Sequence, residues 1–258
     1  MKKALKYSLI FLVWIGIWYA SSAICNINTL IPIPYPHDVV KKIFLLMGTA
    51  NFYKSTVFSL FRVAVGIFIA IALGILLAII SSLSKTIYDF LKPFLTIVKS
   101  TPVVAFIFLV FIVVGSNLTP IIICMLMVLP VVYSNVYQGI ISADKSLLEV
   151  CKVYKLSFGK RLYSTYIPSV LPYFFSALLS SIGLGWKAGV AAEVLCATND
   201  SVGLEIFNSK SYILYVDLFA WTLSVIILSL LLEALISGLL KFVSRKYLFY
   251  KEASYENK

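Results

Sequence analysis

Few side chains in this sequence could make or break a covalent bond. His37 is the only histidine, and no second ligand lies near it in the chain, whereas a metal site needs three or four converging ligands. Cys25, Cys124, Cys151 and Cys196 fall at no metal-ligand spacing. They read as free thiols, with a Cys25 to Cys196 bridge on the outer face as the alternative. There is no paired-carboxylate or His-x-x-His cluster and no G-x-x-x-x-G-K-[ST] phosphate loop, so neither a membrane enzyme nor ATP hydrolysis by this chain is expected. What remains are charged residues in unusual places. Glu149 stands in a short segment with Lys152, Lys155, Lys160 and Arg161, which reads either as a solvated positive-inside connector, Glu149 offsetting its basic neighbours, or as a helix that docks on a partner. Lys187 and Glu193 stand inside an apolar run, where an ionised group tends to face a cavity, a neighbouring helix or a solute.

The elements that must position these charges are membrane helices. Of 258 residues, 61% are hydrophobic and 13% charged, with mean hydropathy +0.98, which excludes a soluble enzyme. The net charge of +11 could suggest nucleic acid, but the charges cluster between apolar runs and so point to a bilayer instead. A hydrocarbon core of about 30 Å takes about 20 helical residues. Six spans are predicted, near 7–24, 60–81, 87–114, 118–139, 169–195 and 214–241. The third carries Pro93 and Pro102 with Lys92 and Lys99 in its first half, so it should start along the interface, kink, and span from about Thr101. The first reads as a retained helix and not a cleaved signal, because Trp14, Trp18 and Tyr19 interrupt it and no small-x-small site follows.

With the amino terminus inside, the basic residues divide sixteen inside to five outside, Lys187 lying within a span. That bias puts both termini in the cytoplasm. Two connections are long. One, 26–59, lies outside, with a proline-rich lead at 31–36 and an amphipathic surface helix at 38–47. The other, about 141–167, lies inside and mixes apolar with basic residues at helical spacing. Arg62, Glu233 and Lys241 read as anchors reaching the headgroups. Lys187 and Glu193 are six residues apart, well off a common helical face, so they should not pair with each other. The small residues around Gly183, Gly185 and Gly189 allow close helix approach, at a subunit interface or gate or within one subunit. No internal repeat is visible, and 1–258 reads as one transmembrane domain.

From Leu148 the chain runs LEVCKVYKLSFGKRLYSTYIPSVLPY, which resembles the cytoplasmic Glu-Ala-Ala loop of importer-type ABC transporter permeases. In the preferred register Glu149 opens the motif and Pro168 closes it. Val150 and Cys151 then stand at the two alanines, Lys155 at the usual glycine and Ile167 at the leucine. A second register uses Gly159 with Leu171 and Pro172, and places Val153 at the acidic position. GLGWKAGVAAEVL at 183–195 and KSTPVVAFIFLVFIVVG at 99–115 are similar to two membrane helices of the sulfonate, nitrate and taurine branch.

The resemblance implies an all-α fold of about six spans, the type I ABC importer permease fold, in a bacterial cell membrane. It implies two separate ABC ATP-binding subunits that carry ATP and Mg, a second permease copy, and an extracytoplasmic solute-binding protein. No cofactor in this chain and no nucleic-acid partner is expected. The coupling residues would be Glu149, Val150, Cys151, Lys152, Lys155, Gly159 and Pro168, and the pathway or gate residues Trp186, Lys187, Gly189 and Glu193. The cargo would be a small organic or inorganic anion, or a vitamin precursor. The competing class is an ion-coupled carrier or channel working alone, but the first four spans offer almost none of the midplane polar groups it needs.

Overall fold

The computed structural model describes residues 2–28 and 32–256, with side chains from Lys6 to Ile27 and from Pro32 to Phe242. Ile31, which opens the expected proline-rich lead, and Lys258, counted among the inner charges, lie outside the described residues. Every regular element within them is helical, as a bilayer demands of any chain that cannot close a barrel. The elements are α1 (Lys2–Asn28), α2 (Pro36–Met47), α3 (Ala50–Leu83), α4 (Lys85–Ser100), α5 (Val103–Val114) and α6 (Thr119–Ile141), followed by α7 (Lys145–Val153) and α8 (Phe158–Arg161). After a π-helical turn, Leu162–Tyr166, come α9 (Ile167–Cys196), α10 (Val202–Ser211) and α11 (Tyr215–Glu256).

Three helices make the core. Along α3, Gly66, Ala70, Gly74 and Ala78 recur every fourth residue and are buried against α6. A Cβ on Gly66 would stand 2.7 Å from the Ile121 carbonyl oxygen, and one on Gly74 would stand 2.9 Å from Val132 Cγ1. Only bare backbone fits there. Both contacts advance along α3 and α6 in the same direction, so these two helices run parallel. α9 runs antiparallel to them, Gly139 of α6 facing Val170, and Gly189 of α9 facing Val63. Lipid tails are as apolar as leucine, so such seams are held by dispersion at close range and not by expulsion of water. α11 lies outside this slab, tied by the Trp186 indole, which donates to the Val225 carbonyl at 3.1 Å.

The bundle has two dissimilar ends. At one, α2 and α10 lie over the start of α3 and α11, and Lys42 of α2 pairs with Asp217 of α11 at 2.8 Å. At the other, α7 hangs between the end of α6 and the base of α9. The surface helix expected at 38–47 is α2, begun two residues earlier because Pro36 supplies a preset first turn.

The structure corrects four boundaries. The third expected span is not a kinked helix: α4 and α5 meet at 105° across a two-residue break at Thr101 and Pro102. Twelve residues of α5 rise about 18 Å, short of the hydrocarbon thickness, so neither half crosses alone. Among the described residues five helices are long and apolar enough to cross, or six where the bent pair counts as one broken span and not as a re-entrant loop. The connection expected over 26–59 is shorter, because α3 already starts at Ala50, where the Thr49 hydroxyl accepts from Phe52 N at 3.3 Å. The fifth span does not start at the prolines; Phe158–Cys196 is one helical run of 39 residues. Finally, α11 continues past 241, to Glu256.

Among the described residues no disulfide forms, so Cys25 and Cys196 are not bridged, and no cluster of metal ligands is present. His37 instead stacks with Tyr19 and Tyr35, and its Nδ1 lies 3.1 Å from the Tyr19 hydroxyl.

Candidate functional site

α7 begins where the Asp144 carboxylate accepts from Ser146 N at 2.8 Å, leaving Glu149 in the middle of two and a half turns. The helix is bolted to the bundle on one side only. Cys151 is buried, its sulfur 3.7 Å from the Thr165 hydroxyl and 4.0 Å from the Ser164 hydroxyl at the foot of α9. The remaining faces are open: Leu147, Val150, Val153 and Tyr154 are exposed, Val153 by 78%, with Phe158 beyond. Glu149, Lys152 and Lys155 are exposed beside them, and neither hydrogen bond nor ion pair holds Glu149 to the chain. An exposed apolar strip beside a carboxylate is the kind of surface that helix-in-groove recognition uses.

The end of α7 shows what the sequence departures mean. Lys155 N donates to the Lys152 carbonyl and Leu156 N to the Cys151 carbonyl, at 3.0 and 2.9 Å, the paired bonds of a Schellman cap. Such a cap places its closing residue in the left-handed region, and Lys155 has φ 49°. Glycine, the residue the Glu149 register anticipates here, adopts that angle without strain, whereas a side chain pays about 1–2 kcal/mol. Gly159 has no such angle, and a Cβ added to it would meet nothing within 4 Å. Lys155→Gly is therefore expected to raise thermal stability in detergent by up to about 1 kcal/mol, while Lys155→Ala, which keeps a Cβ in the left-handed region, leaves it unchanged. Equal effects of the two substitutions would contradict this assignment of the cap.

Pro168 is half-buried at the start of α9, and Pro172 lies one turn further on. Neither can donate a backbone hydrogen bond, and the ring of Pro168 crowds the Ser164 carbonyl. The helix absorbs this by widening into the π turn, where Ile167 N reaches back to the Leu162 carbonyl. So the structure gathers Glu149, Val150, Lys152 and Lys155 on one small surface with Gly159 nearby, while Cys151 and Pro168 face the root of α9.

The four residues expected on a pathway or gate do not share a face. Trp186 is fully buried, and Gly189 packs on Val63. Glu193 is also fully buried, and its carboxylate accepts from Ser59 Oγ at 2.7 Å, from Arg62 at 3.3 Å and from Gly203 N at 3.4 Å. Lys187 alone points away from the bundle.

Arg62 is not a headgroup anchor. Its side chain, 12% exposed, turns inward to Glu193 and also donates to the Asn199 and Asp200 carbonyls at 2.7 and 3.1 Å. Lys54 with Asp200 at 2.8 Å and Asn51 with Glu205 at 3.0 Å extend this polar seam along α3 to α10. A membrane interior favours pairing of opposite charges, but Lys187 and Glu233 also stand in apolar runs, so the letters alone do not choose Arg62 as the partner of Glu193. Glu233 also departs from the anchoring role, since its carboxylate lies directly over Gly183 of α9.

The geometry is that of a helical membrane bundle with a pendant amphipathic helix at one end, and the comparisons place it in a family. The chain belongs to the family described as binding-protein-dependent transport system inner membrane component, whose profile matches residues 70–248. It is 31% identical to the nitrate import permease protein NrtB of Synechocystis over 70% of this chain and 66% of that one. It is 25% identical to the taurine transport system permease protein TauC of Escherichia coli, over 86% and 82% respectively. Its fold is shared with a chain in the crystal structure of a bacterial alginate ABC transporter in complex with alginate pentasaccharide-bound periplasmic protein, at TM-score 0.60 and 16% identity, over 95% of this chain and 96% of that one. The protein is a multi-pass permease subunit of an ABC importer.

Proposed function

We propose that this permease forms the pathway for a small anionic or zwitterionic solute and is driven by separate ATP-binding subunits gripping α7. ATP and Mg would be held by those subunits. The exposed strip of Leu147, Val150, Val153 and Tyr154 around Glu149 carries this reading, because no described residue covers it. The α7 end then lies in the cytoplasm, as the bias of basic residues requires, and both termini lie on that side. The opposite end, with α2, α10 and the 197–201 loop, receives the solute from an extracytoplasmic binding protein. One chain offers one α7, and ATPases of this class act in pairs, so two copies of the chain assemble. The names of the relatives, nitrate and taurine permeases among them, support a small charged cargo.

The test is reconstitution of the chain in liposomes with the ATPase and the binding protein encoded beside it. Uptake is expected only when ATP and all three proteins are present. Solute movement by the purified chain alone, without nucleotide, would refute the proposal.

A further inference from the structure

The charges left after the internal pairings define a second site. Arg62 and Glu193 neutralise each other inside the bundle. Lys187 and Glu233 do not: neither forms an ion pair or hydrogen bond among the described residues. Both lie within spans. Glu233 comes 16 residues after Asp217 and 8 before Lys241, about 24 Å and about 12 Å at helical rise. Lys187 is 9 residues short of the end of α9 at Cys196, about 14 Å.

They also face the same surface. The Glu233 carboxylate rests on Gly183, which offers no side chain to block it. Lys187 is one turn along α9 from that glycine and exposed, as are Ser176 and Ser180 on the preceding turns. At 100° per residue Ser176, Ser180, Gly183 and Lys187 fall within an arc of about 60°. The result is a polar stripe on the exposed face of α9, with the Glu233 carboxylate over Gly183 and the Lys187 backbone four residues, about 6 Å, further along the helix.

We infer that Glu233 and Lys187 are the two poles of an intramembrane site for a small zwitterion, Glu233 taking its ammonium group and Lys187 its acid group. This rests on the permease reading above and narrows its cargo. A plain anion would use Lys187 and leave Glu233 uncompensated in the membrane; a zwitterion satisfies both charges at once.

The full-length chain in nanodiscs is titrated with matched pairs differing only in the amino group: taurine against 2-hydroxyethanesulfonate, and β-alanine against 3-hydroxypropanoate. Wild type is expected to bind the amino member of at least one pair at least about tenfold more tightly, the scale of a hydrogen bond to a charged group. Glu233→Gln removes that preference, Glu233→Asp retains most of it, and Lys187→Met weakens both members together. Lys187 is exposed and forms no hydrogen bond or ion pair among the described residues, so its variant keeps the test open if the Glu233 variants fail to insert. Equal binding of both members by wild type, no saturable binding of any, or a preference that survives Glu233→Gln overturns the site. Capture of the ATPase subunit is measured on the same samples. Capture without any amino preference overturns this inference alone, whereas failed capture by wild type overturns the permease mechanism.

Discussion

Arg62→Ala is expected to lower the thermal midpoint of the purified protein by about 6–20 °C, the shift for about 3–5 kcal/mol in a chain of this size. Among the described residues the substitution removes the one cation paired with Glu193, a fully buried carboxylate, and strands the Asn199 and Asp200 carbonyls as well. An intact buried pair is a weak source of stability, because desolvation offsets most of the attraction. A broken one leaves a charge with nothing to compensate it. Glu193→Gln is expected to be milder, since an amide oxygen still accepts from Ser59 and Arg62. Arg62→Met with Glu193→Leu should recover much of the loss. The midpoint is read by fluorescence-detected size exclusion after heating. If Arg62→Ala melts with wild type, the seam joining α3, α9 and α10 is not a structural element.

Glu149→Ala is expected to reduce ATP-dependent uptake at least about tenfold while leaving folding, membrane insertion and thermal midpoint at wild-type values. The separation of the two readouts follows from the geometry. The Glu149 side chain is exposed and makes no hydrogen bond or ion pair among the described residues, so removing it deprives the fold of no such contact. An exposed carboxylate that merely offset neighbouring lysines would be worth about 0–1 kcal/mol, too little for such a defect. Loss of uptake with an intact fold therefore reports a contact outside the chain, and co-purification of the ATPase subunit should fall in parallel. Cys151→Val should behave in the opposite way, altering stability first, because that side chain is packed on Thr165. Wild-type uptake by Glu149→Ala would remove α7 as the drive point.

The long traverses were legible because an apolar run of 20 residues has few fates, and α2 because its apolar and polar residues alternate at helical spacing. The start of α3 was not. Asn51, Lys54 and Ser55 look like loop residues, and their helical state depends on Glu205 and Asp200, some 150 residues away, which satisfy two of them. The same distance hid Arg62 from Glu193. The α4 to α5 bend was half legible: Pro102 announced a break, but an angle of 105° depends on Leu91, Leu95 and Val98 packing sideways on the bundle. In the α7 loop, the Glu149 register placed a glycine at Lys155, and the backbone there does take a glycine-like angle. The direction in which Cys151 points, inward to a π turn and not outward to a partner, had no counterpart in the letters.

The run Phe158–Cys196 is a rod of about 58 Å, clamped over its middle between α3 and α6 by seams too tight to slip. A tilt of 10° about its midpoint would carry each tip about 5 Å, so in the proposed mechanism a modest tug on α7 would become an ångström-scale parting at the far rim. Softness anywhere along that shaft would squander the stroke, which gives a mechanical purpose to glycines that otherwise look like mere economy of space.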